Sequence, residues 1–236
     1  MINQEHIVSG FDRDLESIQA LIMKMGGLVE ESIVKSAQAL ETRDEELARS
    51  VRAADRTIDA LEEQVNEEAA RILALRQPTA SDLRTVLSVF RVSANLERIG
   101  DYSKNIAKRS SVVVQMQPIT GTGPALRRMA GAVELMLKDV LDAYIQRDAD
   151  LALEVRARDQ EVDQMYSALF REYLTHMMED PRNITHCMHL HFIAKNIERM
   201  GDHVTSIAEQ VIYLVTGELP DEDRPKGDRT PFEKGM

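Results

Sequence analysis

Asn95-Leu96-Glu97-Arg98-Ile99-Gly100-Asp101-Tyr102-Ser103-Lys104-Asn105-Ile106-Ala107 is written again 101 residues later as Asn196-Ile197-Glu198-Arg199-Met200-Gly201-Asp202-His203-Val204-Thr205-Ser206-Ile207-Ala208, with seven of thirteen positions identical. Chance would leave on the order of one identity over such a length, so the chain carries an internal repeat. In each copy a Glu and an Asp stand four residues apart, Glu97 with Asp101 and Glu198 with Asp202. On a helix that spacing puts both carboxylates on one face, one turn apart. Hard oxygen ligands so paired suit a divalent or trivalent cation.

The repeat extends outward from the motif. Met25, Glu30, Arg43, Asp44, Leu47, Ala48, Val51, Asp55 and Asp59 recur as Met129, Glu134, Arg147, Asp148, Leu151, Ala152, Val155, Asp159 and Asp163 at a constant offset of 104, which falls to 101 after Pro78 and Pro181. A short deletion in the second copy accounts for the change. Six long amphipathic segments are expected, at roughly 8–41, 45–75, 81–114, 123–145, 149–178 and 183–216, and the prolines fall where turn or breaker signals also stand and interrupt no helical pattern. Short connections force sequential helices to pack antiparallel. The expected architecture is therefore all-α: two pseudo-symmetric antiparallel three-helix bundles, at 1–117 and 118–216. From 217 to 236 the chain is rich in Pro, Gly and charge without apolar periodicity, and a disordered tail is expected there.

Composition narrows the function classes. Aromatic residues make up 4% of the chain and Trp is absent, a composition of long helices and not of sandwiches or barrels. The formal net charge of −11 opposes nucleic acid as a partner, since phosphate backbones are captured by clustered Lys and Arg. Cys187 is the one cysteine, the N-terminus lacks an apolar signal core, and no window approaches a membrane span. A soluble, cytoplasmic protein that meets membranes only through partners is expected.

A second acidic pair precedes each motif, Asp55 with Asp59 and Asp159 with Asp163. With 40 acids in 236 residues, roughly seven such pairs arise by chance, and most are solvated helix surface. Glu63 with Glu67 is read as one of those. The repeated pairs differ because like charges one turn apart repel by about 0.2 to 0.5 kcal/mol, yet both pairs persist in both halves of a widely diverged duplication. Gly100 and Gly201 sit between the Glu and Asp of each motif, where a mid-helix glycine costs about 1 kcal/mol relative to alanine. That cost is expected where another helix, or an ion with its ligands, approaches the backbone closely. Arg98 and Arg199 are placed to pair with neighbouring acids or with an anion at the site. The spacing thus assigns four carboxylates per bundle to one seam that binds Mg²⁺, Mn²⁺ or iron.

Other candidates carry less. His186, Cys187, His189 and His191 are close in sequence, but His191 points away from the face that His186 and His189 share on a helix, and one thiol is too few for structural zinc. They are read as ordinary helix histidines. Met23, Met25, Met177 and Met178 are read as core filler. No phosphate-binding loop, metalloprotease, hydrolase or dinucleotide motif is present, and no catalytic nucleophile stands out.

The two repeated motifs, together with Pro78-Thr79-Ala80-Ser81-Asp82-Leu83-Arg84 and Ile207-Ala208-Glu209-Gln210-Val211-Ile212-Tyr213-Leu214-Val215-Thr216-Gly217, resemble those of the PhoU family of phosphate-specific transport regulators across about residues 8–217. The resemblance implies a fold of two pseudo-symmetric three-helix bundles. It implies metal binding, with iron, zinc, manganese and magnesium all associated with the family, at Asp55, Asp59, Glu97, Asp101, Asp159, Asp163, Glu198 and Asp202. It further implies negative regulation of the phosphate-starvation response, between the ATPase subunit of a phosphate ABC transporter and a sensor histidine kinase. A homodimer is expected.

Two rival readings bear on the acids. A di-iron carboxylate enzyme of ferritin-like type needs Glu-x-x-His on two helices, and none of the six histidines has Glu three residues before it. A purely structural helical protein would tolerate neutralised Glu97, Asp101, Glu198 and Asp202. The expectation is a non-enzymatic adaptor.

Overall fold

The computed structural model describes residues 2–76, 78 and 80–220. Its helices are α1 (Ile2–Thr42), α2 (Glu45–Arg76), α3 (Ala80–Val113), α4 (Thr122–Gln146), α5 (Ala149–Glu179) and α6 (Ile184–Thr216), with a single 3-10 turn at Pro181–Asn183 before α6. These match the six expected segments to within a few residues, except that α1 begins at Ile2 and not at 8.

The Arg-Asp dipeptide that recurs at 43–44 and 147–148 explains how each repeat is cut into helices. Arg43 and Arg147 both adopt the left-handed backbone, with φ of 57° and 53°. The following Asp then caps the next helix: Asp44 Oδ1 accepts from the N–H groups of Glu46 and Leu47, each at 2.9 Å, and Asp148 Oδ1 accepts from Asp150 and Leu151, each at 3.0 Å. Such caps satisfy donors that a helix start otherwise leaves open. At the far end, Gly217 closes α6 with φ 85° and its N–H on Tyr213 O, the usual glycine device for a helix C-terminus. Residues 217–220 are not helical; the expected tail beyond them lies outside the described residues.

Helices α1, α2 and α3 pack on one another, as do α4, α5 and α6. The bundles are also fused, α1 against α4 and α3 against α6. Arg109 of α3 meets His189 of α6, while Asn95 meets His203. Rising numbers on one helix therefore face falling numbers on the other, so the pair is antiparallel and the two motifs cross near its middle. One hydrophobic core runs through both bundles and includes Ile22, Val29, Leu96 and Ile99 with Met129, Val133, Ile197 and Met200. A smaller cluster of Ala39, Ala48, Val51 and Ala107 seals the α1–α2 end. The outer helices α2 and α5 then cover opposite flanks, and their inner faces carry the remaining acids.

Candidate functional site

The first seam lies between α2 and α3. Asp55, Asp59 and Glu62 follow one another at spacings of four and three on α2, one helix face, and Glu97 and Asp101 stand opposite on α3. Lys104 enters the gap: its Nζ is 2.5 Å from Asp55 Oδ2 and 3.0 Å from Asp101 Oδ1, tying the two helices together. The hydrogen bonds that Lys104 donates to Asp55 and then to Asp101 raise its pKa against the opposing effect of burial. The remaining acids repel. Burial first, then Asp101, pushes the Glu97 carboxyl up to about 7 despite the Arg98 guanidinium. Asp59 is raised by burial and then by Asp55. Arg98 itself is exposed, 3.6 Å from Glu97 and 3.9 Å from Asp101, a geometry of little energetic weight.

The second seam lies between α5 and α6 and is more deeply set. Asp159, Asp163 and Glu198 are all buried, whereas in the first seam Asp55 alone of the four expected acids is. Lys195 Nζ sits 2.8 Å from Glu198 Oε1 and 4.9 Å above the Tyr166 ring. Burial raises the Glu198 carboxyl, the Lys195 hydrogen bond opposes it, and Asp202 and Asp163 add to the rise. Tyr166 stands at the position equivalent to Glu62, so an aromatic face replaces a carboxylate beside the lysine.

The motif glycines do what their mid-helix cost implied. A β-carbon on Gly100 would meet Ile58 Cδ1 at 3.1 Å, and one on Gly201 would meet Asp159 Oδ1 at 2.6 Å. The neighbouring helix α2 or α5 is what approaches in each case.

The donor set fits a hard cation. It is all carboxylate oxygen, and Asp55 Oδ1 and Glu198 Oε2 are buried without a hydrogen-bond partner, a state that asks for an ion or other polar group. Among the described residues no three His, Cys, Asp or Glu side chains gather closely enough to hold an ion as they stand. In each seam a lysine ammonium supplies the positive charge.

The other sequence candidates disperse. His186 is buried with Gln117 as a backbone partner, His189 faces Arg109 at 3.5 Å, and His191 lies among the rings of Tyr166, Phe170 and Phe192. These are packing histidines, as read. Glu63 and Glu67 are exposed surface. Met25 is fully buried and Met23 and Met177 pack on the core, but Met178 is 83% exposed and is no core filler. It ends α5 one residue before the terminal Glu179, where no helix covers it. Among the described residues no helix is long and apolar enough to cross a membrane.

Against known proteins, the PhoU domain model matches twice, over residues 22–110 and 126–211. The chain belongs to the PhoU family. All eight expected carboxylates fall within those two PhoU spans, four in each. A phosphate-specific transport system accessory protein PhoU homolog from Rhizobium meliloti is 45% identical over 229 residues, covering 97% of this chain and 97% of that protein. One of the same description from Caulobacter vibrioides is 43% identical over 224 residues, covering 95% and 97%. The crystal structure of PhoU from Pseudomonas aeruginosa superposes with a TM-score of 0.85 at 40% identity, covering 88% of this chain and all of that one (100%). The phosphate transport system regulatory protein PhoU from Streptococcus pneumoniae gives 0.82 at 32% identity, covering 90% and 100%.

Three seam residues escaped the sequence reading: Glu62, Lys104 and Lys195. Glu62 had a signal, since it continues the Asp55–Asp59 face. The lysines had a weaker one, each three residues from a motif acid, but the repeat hid them because neither recurs in the other half.

Proposed function

We propose that this chain is a negative regulator of phosphate uptake and of the phosphate-starvation response. It acts in the cytoplasm as a metal-binding, non-enzymatic adaptor and as a homodimer. Its partners are the ATPase subunit of a phosphate ABC transporter and a sensor histidine kinase, and it reaches the membrane through them.

The observation that carries this reading is the end-to-end match, at 40% identity or more, to proteins described as accessory to phosphate-specific transport. The seams supply the physical part. Asp55, Asp59, Glu97 and Asp101 on one side, and Asp159, Asp163, Glu198 and Asp202 on the other, are the residues that hold the ion. Iron, manganese or magnesium suits oxygen donors best, with zinc the softer alternative. A bound cation neutralises mutually repelling carboxylates and gives an acidic surface a positive centre for an anionic group.

The test is a phosphate-starvation reporter in a strain lacking this protein, complemented with wild type or with a variant carrying Glu97→Gln, Asp101→Asn, Glu198→Gln and Asp202→Asn. Wild type is expected to restore repression at high phosphate and the folded variant is not. Repression by both removes the carboxylates from the mechanism; repression by neither overturns the regulatory reading.

A further inference from the structure

The seams are copies of each other, but their cations are not. Lys104 stands where the second repeat has Thr205, and Lys195 stands where the first has Ala94. Two non-equivalent positions nevertheless each deliver an ammonium to a buried carboxylate of their own seam, Lys104 to Asp55 on the facing helix and Lys195 to Glu198 on its own. Lys104 holds Asp55 by Oδ2, and Lys195 holds Glu198 by Oε1. In both cases the other oxygen of that same carboxylate, Asp55 Oδ1 or Glu198 Oε2, is buried without a hydrogen-bond partner. Each lysine therefore meets half of the demand of a buried carboxylate. A divalent ion would meet the whole of it, because it takes several oxygens at once.

We infer that Lys104 and Lys195 are built-in counter-cations that compete with a bound metal ion, each setting the metal affinity of its own seam. The inference rests on the metal-binding reading proposed above. Lys104 fills the space between Asp55 and Asp101, so an ion shared by those two acids must displace it. Its side chain is 38% exposed and has a flexible stem, so the head group swings into water readily. Lys195 leans on Tyr166, which gives it a second resting contact.

The test uses the full chain stripped with a chelator and titrated with Mn²⁺, the free ion being read by electron paramagnetic resonance. Lys104→Thr and Lys195→Ala each install the residue that the other repeat carries at that place, and Lys104→Met serves as a second variant at the first seam. Each is expected to tighten one class of Mn²⁺ site by about tenfold and leave the other unchanged. A second readout follows the amines directly: acetylation of Lys104 and Lys195, mapped by mass spectrometry, is expected to rise when wild type is saturated with Mn²⁺. Wild type that binds Mn²⁺, with variant affinities and amine labelling both unmoved, overturns the lysine role and leaves metal binding standing. Absence of Mn²⁺ binding in wild type and all variants overturns both.

Discussion

Asp159 lies against the backbone of Gly201, so close that a β-carbon there would sit 2.6 Å from its Oδ1. At the equivalent point of the first repeat, Gly100 faces Ile58, and the Asp55 carboxylate is held by Lys104 instead. A helix gains about 1 kcal/mol from Gly→Ala, so the two glycines separate packing from propensity. Gly100→Ala is expected to be near neutral, because the end of Ile58 gives by a few tenths of an ångström. Gly201→Ala is expected to destabilise by about 1 to 2 kcal/mol, since the new β-carbon must displace the carboxylate of Asp159, a buried side chain. Urea unfolding of the two variants checks this, and equal midpoints would contradict it.

Glu97 gives the metal-free protein a pH dependence of definite sign. Its carboxyl is raised from 4.5 to about 7 in the folded chain, by burial first and Asp101 second. The native state therefore holds a proton that the unfolded state has released. That stabilisation is complete below the unfolded value and is lost as pH rises toward the folded one. Relative to wild type, Glu97→Gln is expected to gain about 1 kcal/mol on going from pH about 5 to about 8, after allowance for solvent screening. Stability curves in chelator that stay parallel would refute the assignment.

Lys104 and Asp55 form a pair in which removing one partner strands the other. Asp55 is 3% exposed, and Lys104→Met leaves its carboxylate buried without a cation. A loss of about 2 kcal/mol is expected, below the figure for a fully buried pair because Lys104 is partly solvated. Adding Asp55→Asn should recover much of it, giving a coupling that a double-mutant cycle in chelator measures. Additive effects would show that the pair contributes nothing.

Arg43 and Arg147 share a left-handed backbone but not a role. Arg43 Nη2 donates to the carbonyls of Met116, at 2.7 Å, and Val114, capping the end of α3. Arg147 is exposed. Arg147→Gly is expected to stabilise by about 0.5 to 1 kcal/mol by relieving the backbone. Arg43→Gly is expected to destabilise by about 1 to 2 kcal/mol, because its charged hydrogen bonds outweigh that relief. Thermal unfolding in which both move the same way would contradict the distinction.

The fold was open to a reader of the sequence because its signals are local. Helical periodicity, the Arg-Asp turns and the Pro-rich breaks act within a few residues, and duplication printed each of them twice. The same holds for the acids along one helix face: Asp55 with Asp59 and Glu97 with Asp101 need only the rise of a helix to be aligned. The partners of those acids were a different matter. That Lys104 crosses from α3 to Asp55 on α2, that Tyr166 takes the place of Glu62, and that Asp159 rests on Gly201 all depend on which helix faces which and at what register. Those relations are set by side-chain packing over separations of tens of residues, where sequence spacing carries no distance. The sequence by itself determined six helices, their pairing into repeats and the acidic faces; only the tertiary structure decided which cation each acidic face meets, because that is fixed by the packing of α2 on α3 and of α5 on α6.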